Sequence, residues 1–276
     1  MRTPEGPEVR DGGMPAARRP ACVLDLDGTL CHPEPIRDGF PIRGRTAASV
    51  LAADTLDRLA RLSRTIDIIV ASGRSCRTAA DFRGVFTRAG VVIAGWILEH
   101  GAVVPGRPAW TRAVTAGVDL DGVRGRLERM IRDRGLPIDA ARYAGSHEHI
   151  LLFSGDGALS AKRFLAGAAG ILGDDFRTIV GPRKIALIPK RADKFAAFAA
   201  NFGATHLLAA AAGDQPDDLT LLKHAAFPMT HAGADRRVRR CVRSRGGYLA
   251  PSVGHSGTAA ILDRILGDLR GEAGLP

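Results

Sequence analysis

The sequence predicts an α/β protein, and two observations carry that expectation. Short continuous apolar runs at 21–26, 66–71 and 207–212 alternate with segments of helical period, the pattern of buried parallel strands joined by crossover helices. Between about 105 and 189 the texture changes to charged amphipathic helices and a hairpin-like pair of strands. The expected architecture is therefore a Rossmann-like parallel-sheet core with an inserted α+β cap domain. Its parts are a disordered N-terminal tail at 1–20, a core at 21–105 and 189–276, and a cap at 106–188.

The elements follow in order. Residues 1–20 are rich in Pro, Gly and Arg and have no apolar centre, so they read as a tail rather than a secretory signal; Met14 is an alternative start. The strand at 21–26 turns acidic at its end. A helix is expected over 46–62, where Val50, Leu51, Leu56, Leu59 and Leu62 fall near helical spacing. A strand at 66–71, a helix at 77–89 and short strands at 91–93 and 96–98 complete the first half of the core. The cap is expected to hold helices at 120–134 and 159–172, a strand at 150–153, and a hairpin of 177–180 with 184–189 around Gly181-Pro182. Alternation then resumes, with helices at 192–202, 217–225, 234–244 and 258–269 and strands at 207–212, 227–230 and 248–249.

Composition narrows the classes. Hydrophobic residues make up 45% and charged residues 25%, ordinary values for a globular protein, and no apolar stretch approaches the roughly 20 residues that a membrane span needs. The cysteines at 22, 31, 76 and 241 form no C-x-x-C pair and read as reduced thiols of a cytoplasmic protein. The net charge of +10 fits a nucleic-acid surface, steering of an anionic substrate, or mere Arg richness. Only 5% of residues are aromatic and no basic run interleaves with them, so neither a nucleic-acid nor a membrane partner is expected.

Chemistry concentrates at two strand ends. Asp25 and Asp27 follow the first strand in Val23-Leu24-Asp25-Leu26-Asp27-Gly28-Thr29. Sites in open α/β sheets form at the carboxyl ends of strands. Two carboxylates there can divide labour, one attacking phosphorus and the other donating and then accepting a proton. Alone, the run also reads as an acidic turn. A second acidic cluster, Gly213-Asp214-Gln215-Pro216-Asp217-Asp218, follows another buried strand. Magnesium takes hard oxygen ligands, and Asp25 and Asp214 can each supply one. Asp218 can orient a metal-bound water or a lysine, and Asp217 reads either as a helix N-cap or as a direct participant. Ser72 and the N–H groups beside it can hold phosphate oxygens. Either Lys194 or Lys190 can supply the cation.

Taken together, DLDGT at Asp25, ASGR at Ser72, a lysine at Lys194 and GDxxxD at Asp214 resemble the four ordered motifs of the haloacid dehalogenase-like phosphatases. The insertion between the second and third motifs is similar to a type-2 cap. It places the resemblance near the Cof-type, sucrose-phosphate, trehalose-phosphate and mannosyl-3-phosphoglycerate phosphatases. Glu99-His100-Gly101 stands where Cof-type relatives usually show Glu-Asn-Gly, and Phe195 stands where relatives often have Gly.

The resemblance implies a magnesium-dependent phosphomonoester hydrolase acting on a sugar phosphate or similar small metabolite. Asp25 would be nucleophile and metal ligand, and Asp27 the general acid/base with its carbonyl also on the metal. Ser72, Gly73 and Lys194 would bind the phosphoryl group, with Asp214 and Asp218 completing the metal site. For the rest of the substrate the candidates are Arg74, His147 and Arg183, with Tyr143, His149 and Lys184 nearby in sequence or in the cap. A phosphohexomutase and a non-enzymatic binding protein remain open alternatives on the same scaffold.

Overall fold

The computed structural model describes residues 17–42, 49–155, 157–181 and 184–269. The N-terminal residues 1–16, Met14 among them, and the substrate candidate Arg183 lie outside these ranges. Strand β1 (Arg19–Leu24) opens the core, and it starts inside the segment expected to be tail. Arg19 and Pro20 pair with His206 and Leu207, so backbone bonding extends the strand beyond its apolar stretch.

Strands β2 (Gly39–Ile42) and β3 (Ser49–Ala52) form an antiparallel pair, and α1 (Ala53–Leu62) begins only after it. This corrects the helix expected from residue 46; 46–48 lie outside the described residues. Val50 and Leu51 face Pro41 and Phe40 across the pair. Short apolar runs fit either period, and here a strand partner earlier in the chain takes the backbone groups.

The core continues with β4 (Asp67–Ala71), α2 (Cys76–Arg88) and β5 (Ile93–Ile97). β5 is one strand where two short candidates were expected. A 3-10 turn at Glu99–Gly101 leads to α3 (Pro108–Thr115), which the sequence reading did not anticipate; its proline sits in the first turn, where the missing N–H costs nothing.

The insertion contains α4 (Leu120–Asp133), β6 (Ile138–Asp139), β7 (Leu151–Gly155), α5 (Gly157–Leu172), β8 (Phe176–Val180) and β9 (Lys184–Pro189). Its four strands make an antiparallel sheet in the order β6-β7-β9-β8. Leu127, Met130 and Ile131 of α4 and Phe164 of α5 pack with Leu151, Phe153, Ile185 and Leu187 of the sheet. Ile150, Leu152, Ala186 and Ile188 pack instead with Ala102, Val114 and Ala192.

The chain returns through α6 (Lys194–Asn201), β10 (His206–Ala212), a 3-10 turn at Pro216–Asp218, α7 (Leu219–His224), β11 (Phe227–His231), α8 (Arg236–Ser244), β12 (Tyr248–Ala250) and α9 (Gly254–Leu269). The six core strands lie in the order β12-β11-β10-β1-β4-β5, and every pairing is parallel. On one face α1, α2 and α9 bury Leu56, Leu59, Phe82, Phe86, Leu262 and Ile265. On the other α6, α7 and α8 bury Phe198, Leu221, Leu222, Val238 and Val242. Each such side chain contributes about 1.5–3 kcal/mol through apolar burial.

The strand order positions the site. From β1 the chain passes to β4 on one side and returns at β10 on the other, so the loops beyond the carboxyl end of β1 diverge and open a crevice.

Leu262 is fully buried between α9 and the sheet. Leu262→Ala is expected to lower unfolding free energy by about 2–5 kcal/mol, read from the urea midpoint. A loss below about 1 kcal/mol would mean that α9 is not an integral layer of the core.

Candidate active site

Asp25 stands one residue past β1, and its N–H donates to the Ala212 carbonyl at the end of β10 (3.0 Å), so the two acid-tipped strands are joined at their tips. The lysine in the site is Lys194. Asp193 caps α6 by accepting from the N–H groups of Phe195 and Ala196, which places Lys194 at the first helical position. A cation there opposes the helix dipole. Its charge is held instead by carboxylates. Nζ donates to Asp25 Oδ1 at 2.8 Å and Asp218 Oδ1 at 2.6 Å, with Asp217 Oδ2 at 3.6 Å. Lys194 is only 2% exposed. Burial disfavours its charge, but Asp218, Asp25 and Asp217 outweigh that and raise its pKa well above the usual lysine range. Lys190 is exposed and lies near Asp174, away from this cluster.

Asp214 follows β10. Its Oδ1 accepts from the Thr29 hydroxyl (3.1 Å) and its Oδ2 from the Gln215 amide (2.6 Å). Asp218 Oδ2 accepts the N–H groups of Asp214 and Gln215, both at 3.0 Å, so Asp218 shapes the loop and holds Lys194 at once. Gly28 has φ +88°, and a Cβ there would lie 2.5 Å from the Asp214 carboxylate. Both the backbone angle and the space exclude a side chain.

Asp25, Asp214 and Asp218 each present an oxygen within 4.8 Å of the others, a group that could hold a metal ion. Burial, aided by repulsion from Asp218 and Asp214 and only partly offset by Lys194, pushes Asp25 well above the carboxylate range, and burial with repulsion from Asp218 raises Asp214 to about 6. The oxygen-only donor set suits a hard cation. Asp218 gives one oxygen to the Lys194 ammonium and the other to two backbone N–H groups, three donors in all, and is the poorest direct ligand of the three.

Asp27 lies at the mouth, its side chain 45% exposed and gripped by Arg74, whose Nε donates to Oδ2 (2.7 Å) and Nη2 to Oδ1 (2.6 Å). The surrounding protein would raise this carboxyl, but the bidentate guanidinium outweighs it and holds the group below its ordinary value. Ser72 is buried beyond β4, and its Oγ accepts the Arg74 N–H at 3.3 Å. His147 reaches from the insertion: Nε2 lies 3.1 Å from the Gly73 carbonyl and Nδ1 2.9 Å from Ser146 Oγ. Burial pushes its pKa down to about 3, so it meets Gly73 as a neutral donor.

Three residues in the site had no assigned role in the sequence reading. His100 Nδ1 lies 2.7 Å from Asp217 Oδ2, and Arg177 of β8 donates to Asp217 Oδ1 at 2.7 Å and to the His100 carbonyl at 3.1 Å. Burial would raise Asp217, but His100, Lys194 and Arg177 more than offset it, leaving it ionised. Asp217, open between cap and participant at the sequence level, is thus the centre of an ion-pair network rather than a side-chain cap. Glu99, at φ 48°, accepts the N–H groups of Glu148 and His149 at 3.2 and 2.9 Å. The only sequence signal for these groups was the Glu99-His100-Gly101 triplet; nothing local marks Arg177. Tyr143 is buried among Ile150, Leu152 and Ile188.

Two outcomes test this geometry. A divalent cation is expected to raise the thermal midpoint of the wild type, and Gly28→Ala is expected to displace Asp214 and abolish that rise; an unchanged rise in the variant would refute the packing argument. Burial raises Glu99 from its ordinary 4.5 to about 7. A carboxyl that binds its proton more tightly when folded stabilises at low pH and loses that contribution as pH rises from 4.5 to about 7. Relative to Glu99→Gln, the wild-type urea midpoint is expected to fall across that window, and parallel profiles would count against it.

No family model matches the chain, and no curated protein matches it in sequence. Solved structures do match in fold. A haloacid dehalogenase-like hydrolase from Bacteroides thetaiotaomicron is 17% identical, with 90% of this chain and 100% of that chain covered at a TM-score of 0.59. The sucrose-phosphatase from Synechocystis, in complex with sucrose and phosphate, is 16% identical over 91% of this chain and 98% of its own, TM-score 0.59. A haloacid dehalogenase subclass IIB sugar phosphatase is 13% identical over 89% and 98%, TM-score 0.57. With its six-stranded parallel core and its inserted α+β layer, the chain has the haloacid dehalogenase-like fold.

Proposed function

We propose that the chain is a magnesium-dependent phosphomonoester hydrolase that acts through an aspartyl-phosphate on Asp25, with a sugar phosphate or similar small polar metabolite as substrate. The observation that supports this most is the convergence of Asp25, Asp214 and Asp218 around one buried lysine at the switch point of the sheet. Sugar phosphatases among the proteins of the same fold support the substrate class.

In this reading an Asp25 oxygen attacks phosphorus and the ester P–O bond breaks. Asp27 gives its proton to the leaving oxygen. It then takes a proton from the water that attacks the aspartyl-phosphate, releasing orthophosphate and restoring Asp25. Because Arg74 favours the ionised form of Asp27, protonation before the first step requires that grip to loosen when substrate enters. Arg74 is then free to meet the substrate. Ser72, Gly73 and Lys194 would hold the phosphoryl oxygens, and His147 would keep the insertion seated on the phosphate loop. Asp25, Asp214 and the Asp27 carbonyl would hold the magnesium, with Asp218 behind them, and the ion supplies charge neutralisation on the phosphoryl group. The four described cysteines are all free, which supports a cytoplasmic setting.

Asp25→Asn is expected to cut magnesium-dependent phosphate release from a chromogenic phosphate ester to below about one thousandth of wild type, with the fold intact by thermal midpoint. Near wild-type release from that variant would overturn the mechanism.

A further inference from the structure

The helix α8 has the sequence RRVRRCVRS, five arginines in nine residues, followed by Arg245. Val238 and Val242, one turn apart, bury its inner face against the sheet. Arg236, Arg239, Arg240 and Arg243 recur three and four positions apart, so they share the outer face as one stripe over about 10 Å. With Ser244 they line a surface groove of about 560 Å³, which no residue of the carboxylate cluster lines.

This stripe is not neutralised from within. Among the described residues none of its arginines forms an ion pair with a carboxylate; α7 and α8 contain no acid, and Asp217 and Asp218 of the 3-10 turn that also packs on α8 are held by Arg177 and Lys194 instead. Asp235, just before the helix, accepts from the Arg237 N–H as its cap. Arg239 Nε is buried and has no hydrogen-bond partner. Like charges a turn apart destabilise a helix by a few tenths of a kcal/mol per pair, a cost that a bound anion removes.

We propose that the outer face of α8 is a binding site for a compact oligophosphate, the chemistry shared by inorganic tripolyphosphate and the triphosphate tail of a nucleotide. The guanidinium forks match phosphoryl oxygens two at a time. The stripe carries no aromatic side chain on which bases of a nucleic acid could stack, and no apolar side chain to enter a lipid surface.

The test is calorimetric titration of the full chain with inorganic tripolyphosphate at physiological ionic strength, with chelator present. Arg239→Gln/Arg243→Gln is expected to weaken binding at least about tenfold. Its thermal midpoint should not fall below the wild-type value, and Arg239→Lys/Arg243→Lys, which keeps the charge but loses the forks, should bind more weakly than the wild type and more tightly than the glutamine variant. If the double glutamine variant does not fold, Arg240→Gln alone should still weaken binding several-fold. A nucleoside triphosphate titrated in parallel assigns the source: equal affinity supports a bare phosphate chain, and tighter, arginine-dependent binding supports a nucleotide tail. Absence of binding to the wild type, or binding untouched by the substitutions, overturns the proposal. Tighter, arginine-dependent binding of duplex DNA would overturn it in favour of a nucleic-acid surface.

Discussion

The ammonium of Lys194, sealed between Asp25 and Asp218, is the contact on which the rest of the site depends. Without it the carboxyl ends of β1 and β10 would set several buried acids against one another in a low-dielectric crevice, and removing one partner of such a cluster is far more costly than an exposed pair is worth. The lysine is available there because Asp193 starts α6 one residue earlier. Asp218 holds the lysine with one oxygen and the Asp214 loop with the other, so the cation, the second acidic loop and the helix are one mechanical unit.

A second layer ties this unit to the insertion. Arg177 crosses from β8 to Asp217 and the His100 carbonyl, Glu99 collects two N–H groups from the 148–149 turn, and His147 meets Gly73. Three of the core loops that surround Asp25 are therefore bonded directly to the inserted layer. Movement of that layer would be felt at Asp217 and at Gly73, next to the groups proposed to hold the phosphoryl oxygens. Closure over such a site excludes water and strengthens the electrostatics inside it.

Arg74 shows how the same geometry restrains the chemistry it serves. Its fork holds Asp27 in the ionised form, whereas a general acid must carry a proton. In the proposed mechanism substrate entry competes for that guanidinium and frees the carboxyl, which links binding at the mouth to proton transfer within. The α8 stripe lies outside this circuit, with its own cations and no shared lining residue.

Much of this was readable from local pattern. Buried parallel strands announce themselves as unbroken apolar runs, and Asp25, Asp27, Asp214 and Asp218 stand at their ends because that is where a sheet of this class opens. The helix-strand-helix-hairpin order of the insertion was legible for the same reason. Periodicity and neighbouring residues suffice for the α/β class and for the two acid-tipped strands with their carboxylates. It takes the folded chain to make 49–52 a strand, to bring Lys194 rather than Lys190 to Asp25, and to set the Arg177 guanidinium and the His100 ring on Asp217. Each of those outcomes rests on a partner distant in the chain, and the energy of a buried charge or a paired strand depends on that partner, which no local window contains.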